Sequence, residues 1–92
     1  MTTSADFEAA QARVKTLKSP PSPDELLELY GLFKQGTQGD VTGSRPGMLD
    51  FKGRAKFDAW EKQKGLAREA AQKAYVELVA TLETRYGLRL SE

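Results

Sequence analysis

Two aromatic rings and one lysine share a face of a predicted helix. Tyr30, Phe33 and Lys34 stand at positions i, i+3 and i+4, so they cover a single patch of helix surface. Ring faces in such a patch can stack on an aromatic ligand, and the ammonium group can hold an anionic group of the same ligand. The alternative is that both rings belong to the core and that Lys34 is solvated at its rim.

A basic patch follows on the next predicted helix. Lys52 and Lys56 stand one turn apart, with Arg54 between them in the sequence. Their like charges repel each other slightly unless a bound anion or an acidic side chain neutralises them. A solvated basic face remains the alternative. Lys15 lies beside the apolar stripe of the first predicted helix, where a lone lysine is ordinarily at the surface. Tyr75 lies on the inward stripe of the last helix, where an aromatic residue is ordinarily part of the core.

Composition excludes several kinds of chemistry. The 92 residues contain no His and no Cys, which removes disulfides, thiolate chemistry and nearly all zinc sites, and leaves a serine nucleophile without an imidazole base. The carboxylates are scattered, and no pair is set apart for acid and base work. A net charge of +1 lacks the surplus typical of a nucleic-acid-binding domain. The residues alone therefore indicate a small binding domain for an anionic, aromatic ligand.

Four segments with helical spacing must position these side chains, and none shows the alternation of a strand, so the predicted fold is all-α. The first predicted helix has Ser4 as its N-cap, carries an apolar stripe from Phe7 to Leu17 and stops before Pro20. The others run from Pro23 to between Gly36 and Gly39, from about Phe51 to Gln63, and from about Arg68 to Tyr86. Ser22 and Glu25 predict a capping box at the start of the second helix. The connection over residues 37–50 is long enough to span the domain. The residues expected to face inward on the third helix are Phe51, Ala55, Phe57 and Trp60.

Three stretches of the sequence resemble the acyl-coenzyme A binding protein family. They are Tyr30-Gly31-Leu32-Phe33-Lys34-Gln35-Gly36-Thr37, Arg45-Pro46-Gly47-Met48-Leu49-Asp50-Phe51-Lys52-Gly53, and Lys73-Ala74-Tyr75-Val76. The resemblance implies an up-down-down-up four-helix bundle with the long connection between the second and third helices. It also implies one acyl-CoA binding domain over residues 1–92, acting as a carrier of long-chain fatty acyl-CoA esters and not as an enzyme.

The same resemblance implies where the ligand binds. The implied contacts are Lys15, Tyr30, Gly31, Leu32, Phe33, Lys34, Lys56 and Tyr75, with Lys52 a weaker candidate. Lys34 and Lys56, with the Tyr30 hydroxyl, would hold the ribose 3′-phosphate, and Phe33 and Tyr75 would pack on the adenine. Phe33 stands where the family usually has Tyr, Gly36 where it has Ala, Phe57 where Trp is frequent, and Ala67 where a Ser or Thr caps the last helix.

The expected partners follow from these points. Long-chain fatty acyl-CoA is the expected ligand, and no cofactor, metal ion, nucleic acid or stable membrane insertion is expected. The chain is expected to be cytoplasmic, since no apolar run approaches the roughly 20 residues that cross a bilayer. The resemblance implies a monomer. The leading alternative is a helical protein-interaction module whose basic and aromatic surface binds an acidic peptide. A small nucleic-acid binder is a weaker alternative, and a thioesterase is the least favoured because no nucleophile with its base can be named.

Overall fold

The computed structural model describes residues 3–88 as four α-helices, which confirms the predicted all-α fold. The helices are α1 (Thr3–Arg13), α2 (Pro23–Gln38), α3 (Phe51–Glu61) and α4 (Arg68–Tyr86), and a 3-10 turn at Val14–Thr16 extends α1. α4 packs against both α1 and α2, whereas α3 packs against α2 alone among the described helices. Between residues 3 and 88, no helix combines the length and the apolar character needed to cross a membrane.

The start of α2 is fixed by the predicted capping box. The hydroxyl of Ser22 accepts a hydrogen bond from the Glu25 amide at 3.2 Å, and the Glu25 carboxylate accepts one from the Ser22 amide at 2.8 Å. Pro23 occupies the first helical position, where its missing N–H costs nothing. The helix ends at Gly39, whose φ of 81° closes the last turn, so Gly36 lies inside the helix.

Helices α1 and α4 run in the same direction. The rings of Phe7 and Tyr75, each near the middle of its helix, meet edge to face with centroids 5.1 Å apart. Farther along both helices, Arg13 forms an ion pair with Glu83. The two contacts follow the same order along both helices, so α1 and α4 lie parallel to each other. The core that they share with α2 consists of Phe7, Ala10, Leu17, Leu29, Leu32, Tyr75, Val79 and Leu82.

Helix α2 runs opposite to α4. Glu25, in the first turn of α2, accepts a hydrogen bond from the hydroxyl of Tyr86, in the last turn of α4. Near the other end of α2, the carbonyl of Gly36 accepts a hydrogen bond from the Gln72 amide group at 2.8 Å. α2 is therefore held to α4 at both ends, and the residues from Tyr30 to Lys34 lie in the turns between these two contacts.

Only part of α3 meets α2. Trp60 is buried as predicted, but Phe51 is 76% exposed, so the prediction that Phe51 faces inward is wrong. Helical periodicity identifies a face but does not show which turns of that face meet a neighbour. Phe51 is the first residue of the helix, capped by the Asp50 carboxylate, and it extends beyond the contact with α2.

The long connection between α2 and α3 is fastened to the helices that it joins. The carbonyl of Gly39 accepts a hydrogen bond from the Trp60 indole at 2.8 Å. The carboxylate of Asp40 accepts one from the Gly65 amide at 2.9 Å. Arg45 then forms two hydrogen bonds of 2.8 Å each with Asp58. These contacts hold α3 beside α2 although the two helices are separated by a long segment.

Candidate ligand-binding site

Two lysines lie over aromatic rings at the contact between α2 and α3. The Lys34 ammonium nitrogen is 4.8 Å from the ring centroid of Trp60, and that of Lys56 is 5.5 Å from the ring of Tyr30. Each lysine therefore contacts a ring from the other helix at cation–π distance. Tyr30 precedes Lys34 on α2, and their partners Lys56 and Trp60 follow in the same order on α3, so the two helices run in parallel. With α1 and α4 antiparallel to α2, the predicted up-down-down-up order is confirmed.

Gly31 permits the close approach of α2 and α3. A Cβ atom placed on Gly31 would lie 2.8 Å from the carbonyl carbon of Ala59 and closer still to its oxygen. Only glycine fits at this position without moving the helices apart. The next residue, Leu32, is buried in the core on another side of α2. Both residues, predicted as ligand contacts, are thus placed where they pack helices together, and their contact with a ligand stays a prediction.

An apolar cavity of about 330 Å³ opens where α2 faces α1 and α4. Of the residues that the sequence predicts as ligand contacts, four line it: Lys15, Tyr30, Phe33 and Tyr75. The remaining lining is aliphatic and consists of Val14, Pro21, Leu26 and Leu29. Burial raises the pKa of the Tyr75 phenol, so this hydroxyl stays protonated at neutral pH and is available as a donor.

Phe33 and Tyr75 are only partly available as stacking surfaces. Their ring centroids are 6.5 Å apart, and Phe7 packs on both, at 6.0 Å from Phe33 and 5.1 Å from Tyr75. Tyr75 is 6% exposed, whereas Phe33 is half-buried. Both the core interpretation and the ligand interpretation of these rings therefore apply, because each ring packs inward and also borders the cavity.

A larger cleft of about 630 Å³ lies between the first turns of α2 and the middle and last turns of α3. Its lining includes the apolar residues Leu27, Ala55 and Ala59 and carries charged residues around them. Leu27 lies one turn before Tyr30, and Ala55 directly precedes Lys56. The ring of Tyr30 itself borders the apolar cavity, and the ammonium of Lys56 lies over that ring.

Several residues at the candidate site are not identified by the sequence pattern. Trp60 was assigned to the core, although its position one turn after Lys56 places its ring on the same helix face. Leu27 and Ala55, which line the cleft, carry no signal beyond their apolar character. Lys52 is exposed in the first turn of α3, one turn before Lys56, and like Lys34 and Lys56 it lines neither cavity, so its contact with a ligand stays a prediction.

The comparisons with known proteins agree with this geometry. The family model described as acyl-CoA binding protein matches residues 4–79. The chain is 62% identical over 81 residues to acyl-CoA-binding protein homolog 1 of Caenorhabditis elegans, which covers 88% of this chain and 94% of that protein. It is 51% identical over 90 residues to the acyl-CoA-binding protein homolog of Manduca sexta, which covers 97% of this chain and all of that protein, 100%.

Solved structures place the same fold in this family. The crystal structure of Oryza sativa acyl-CoA-binding protein 2 superposes with a TM-score of 0.86 at 38% identity, covering 90% of each chain. The acyl-CoA-binding protein from Moniliophthora perniciosa superposes with a TM-score of 0.84 at 40% identity, covering 90% of this chain and 82% of that one. Together with the match over most of its length, these similarities show that the chain belongs to the acyl-CoA-binding protein family.

Proposed function

We propose that this chain is a single acyl-CoA binding domain over residues 1–92 that carries long-chain fatty acyl-CoA esters in the cytoplasm as a monomer. The observation that supports this most directly is the placement of Lys34 and Lys56 at one helix contact, each over a ring. Two positive charges next to an aromatic cavity and a long cleft suit a ligand with a phosphate, a heteroaromatic base and an aliphatic tail.

Lys34 and Lys56 would hold the ribose 3′-phosphate of coenzyme A, with the hydroxyl of Tyr30 as a further donor. Ammonium–phosphate hydrogen bonds are charge-assisted and stronger than neutral ones. The rings of Tyr30 and Trp60 support the two ammonium groups before the ligand arrives, so less side-chain freedom is lost on binding. This pre-organisation favours phosphate binding at the α2–α3 contact.

The adenine base would enter the apolar cavity and pack against Phe33 and Tyr75. Lys15, exposed at the edge of this cavity, is then placed to meet the rest of the negatively charged headgroup. Because Phe33 stands where the family usually has Tyr, one hydroxyl contact is lost. If that contact is a hydrogen bond in relatives, its loss costs about 0.5–1.5 kcal/mol. Stacking itself does not need the hydroxyl.

The acyl chain would lie in the cleft between α2 and α3, on Leu27, Ala55 and Ala59. Each methylene that leaves water contributes up to about 0.8 kcal/mol. Affinity should therefore rise with chain length until the cleft is full. Free coenzyme A lacks the chain and free fatty acid lacks the headgroup, so both should bind far more weakly than the ester.

The groups that line the cleft suit a protein that carries the acyl-CoA ester without hydrolysing its thioester. Asp58 is engaged by Arg45, and the pKa of its carboxyl is lowered chiefly by that hydrogen bond, so it stays ionised. A hydrolytic mechanism needs a nucleophile within reach of a base. Within residues 3–88 we identify no such pair along the cleft, and we propose that the thioester is released unchanged.

An acidic peptide is a less suitable ligand for this cleft. Three carboxylates, Asp24, Glu28 and Asp58, border it against one lysine, Lys62, and of the three Asp58 alone forms an ion pair in the structure, with Arg45. A peptide carrying carboxylates would meet like charges there. A neutral aliphatic chain would meet no such repulsion, and this difference favours the acyl-CoA proposal over a peptide-binding module.

The proposal is tested by calorimetry with the variants Lys34→Ala and Lys56→Ala. Each should weaken binding of a long-chain acyl-CoA by about 1.5–3 kcal/mol, because a charge-assisted hydrogen bond to the phosphate is lost. Each should cost much less with the 3′-dephospho ester, which lacks that phosphate. Lys73→Ala, an exposed change on α4, is the matched control.

Two results would contradict the proposal. Equal losses with both ligands would reject the assignment of the phosphate site. Equal affinities of the unaltered protein for short and long acyl esters would reject the assignment of the cleft to the acyl chain. Incubation with the ester should also leave the thioester intact, since hydrolysis would indicate an enzyme.

A further inference from the structure

The most exposed large apolar side chains of the described residues lie together in one short segment. Met48 is 77% exposed, Leu49 is 92% exposed and Phe51 is 76% exposed. Elsewhere in residues 5–88 the exposed large apolar side chains are Leu26, at 50%, and Leu88, at 41%. A cluster of this kind is uncommon on a small protein that keeps no partner. Neither cavity described above includes any of the three side chains.

Positive charge borders this segment. Lys52 and Lys56 are exposed on α3 directly after it, one turn apart. The acidic residue among them, Asp50, caps α3, and its carboxylate accepts a hydrogen bond from the Gly53 amide at 2.9 Å. Its charge is therefore directed at the helix N-terminus. We call Met48, Leu49, Phe51, Lys52 and Lys56 the apolar-basic surface.

The shape and size of the apolar-basic surface decide what can cover it. Met48 and Leu49 form the turn that precedes α3, so they project from the molecule and do not line a groove. Three such side chains supply much less than the roughly 800 Å² per partner of a stable protein interface. A lipid interface has no such requirement, because lipids adapt to a small inserted wedge while their phosphates meet the surrounding lysines.

We propose that the apolar-basic surface docks the protein on anionic lipid bilayers. Met48, Leu49 and Phe51 enter the boundary between headgroups and acyl chains, and Lys52 and Lys56 pair with lipid phosphates and carboxylates. The contact is peripheral, since only a turn and the first part of one helix take part. Docking itself does not depend on acyl-CoA binding. If the proposed function holds, docking also brings Lys56 to the membrane surface, where amphiphilic acyl esters partition.

The test measures binding of the ligand-free protein to sedimented vesicles. Vesicles of phosphatidylcholine containing phosphatidylserine should bind the protein, and vesicles of phosphatidylcholine alone should bind it much more weakly. Binding should fall as salt is added, because the charge contribution is screened. The double variant Met48→Gln/Leu49→Gln should lose about tenfold in affinity through the apolar area that no longer leaves water. Leu88→Gln, an equal change at another exposed apolar residue, is the control.

Each outcome supports or overturns the proposal. All these side chains are exposed, and circular dichroism should show the helical content of the unaltered protein in every variant. Equal vesicle binding by the double variant and the unaltered protein overturns the docking surface, and so does the absence of binding to anionic vesicles. If ultracentrifugation shows self-association that the double variant abolishes, the surface joins two copies and the bilayer proposal is wrong. Calorimetry with acyl-CoA in solution reports separately on the proposed function.

Discussion

Replacing Gly31 by alanine should separate the two helices that carry Lys34 and Lys56, the proposed phosphate ligands. The new Cβ would stand 2.8 Å from the Ala59 carbonyl carbon, whereas ordinary contacts lie at 3.4–4 Å. Because the obstacle is helix backbone, it cannot move aside as a side chain would. Overpacking of this kind costs up to about 3 kcal/mol. The gain in helix propensity returns up to about 1 kcal/mol, so the net loss is about 2 kcal/mol.

Two other glycines provide matched comparisons. At Gly36 a Cβ would meet the Gln72 side chain at 2.9 Å, and that side chain can shift, so Gly36→Ala should change the free energy of unfolding by less than about 1 kcal/mol. At Gly47 nothing lies within 4 Å, so Gly47→Ala should be neutral or slightly stabilising.

Thermal unfolding measures these differences directly. For a chain of this size about 1 kcal/mol shifts the midpoint by roughly 4–8 °C, so Gly31→Ala should melt about 8–16 °C below the unaltered protein. The same variant should lose part of its preference for the 3′-phosphorylated ester, because Lys34 and Lys56 move apart. A Gly31→Ala protein that melts at or above the unaltered protein would refute the close approach of α2 and α3.

Three further changes probe the elements around the site. Ala67→Ser should raise the free energy of unfolding by about 1 kcal/mol, seen in urea titration, because α4 now starts without a side-chain cap. Glu25 has a pKa of about 2, lowered first by the Tyr86 hydrogen bond. The stability that its ionised form contributes is complete above the usual carboxyl pKa near 4.5 and is lost as the pH falls towards 2. Glu25→Gln should therefore make the melting temperature fall less steeply between these two pH values. Trp60→Phe should cost about 1–3 kcal/mol in denaturant titrations followed by circular dichroism, since the Gly39 carbonyl loses its donor; an unchanged midpoint would contradict that role.

Local features of the fold were predictable because they depend on neighbouring residues in the chain. The capping box at Ser22 needs only the residue types and their spacing, and the structure forms it as expected. The exposed Phe51 was not predictable in the same way, because a helix face is periodic but the extent of its contact with a neighbour is set by the whole fold. The position of Gly36 inside α2 was ambiguous for a related reason, since the actual end depends on the positive φ of Gly39.

The site was predictable only in part. Spacing placed Tyr30 beside Lys34 on one helix, but it carried no information about which residues of α3 would meet them. That pairing depends on α2 and α3 running in parallel, and family resemblance supplied the direction that periodicity could not. The ring of Trp60 beneath the Lys34 ammonium is visible only in three dimensions.

The parallel order of α2 and α3 makes the candidate site depend on the long connection between them. Two neighbouring parallel helices need a segment that returns the chain along the full length of the first helix. Ordering such a long segment costs conformational entropy. If the segment made no contacts of its own, α3 would be held only weakly, because among the described helices it packs on α2 alone. The Arg45–Asp58 pair and the Trp60–Gly39 hydrogen bond fasten the connection to α3 at separate points. The two proposed phosphate ligands, one on each helix, are therefore held in register by residues that need not touch the ligand.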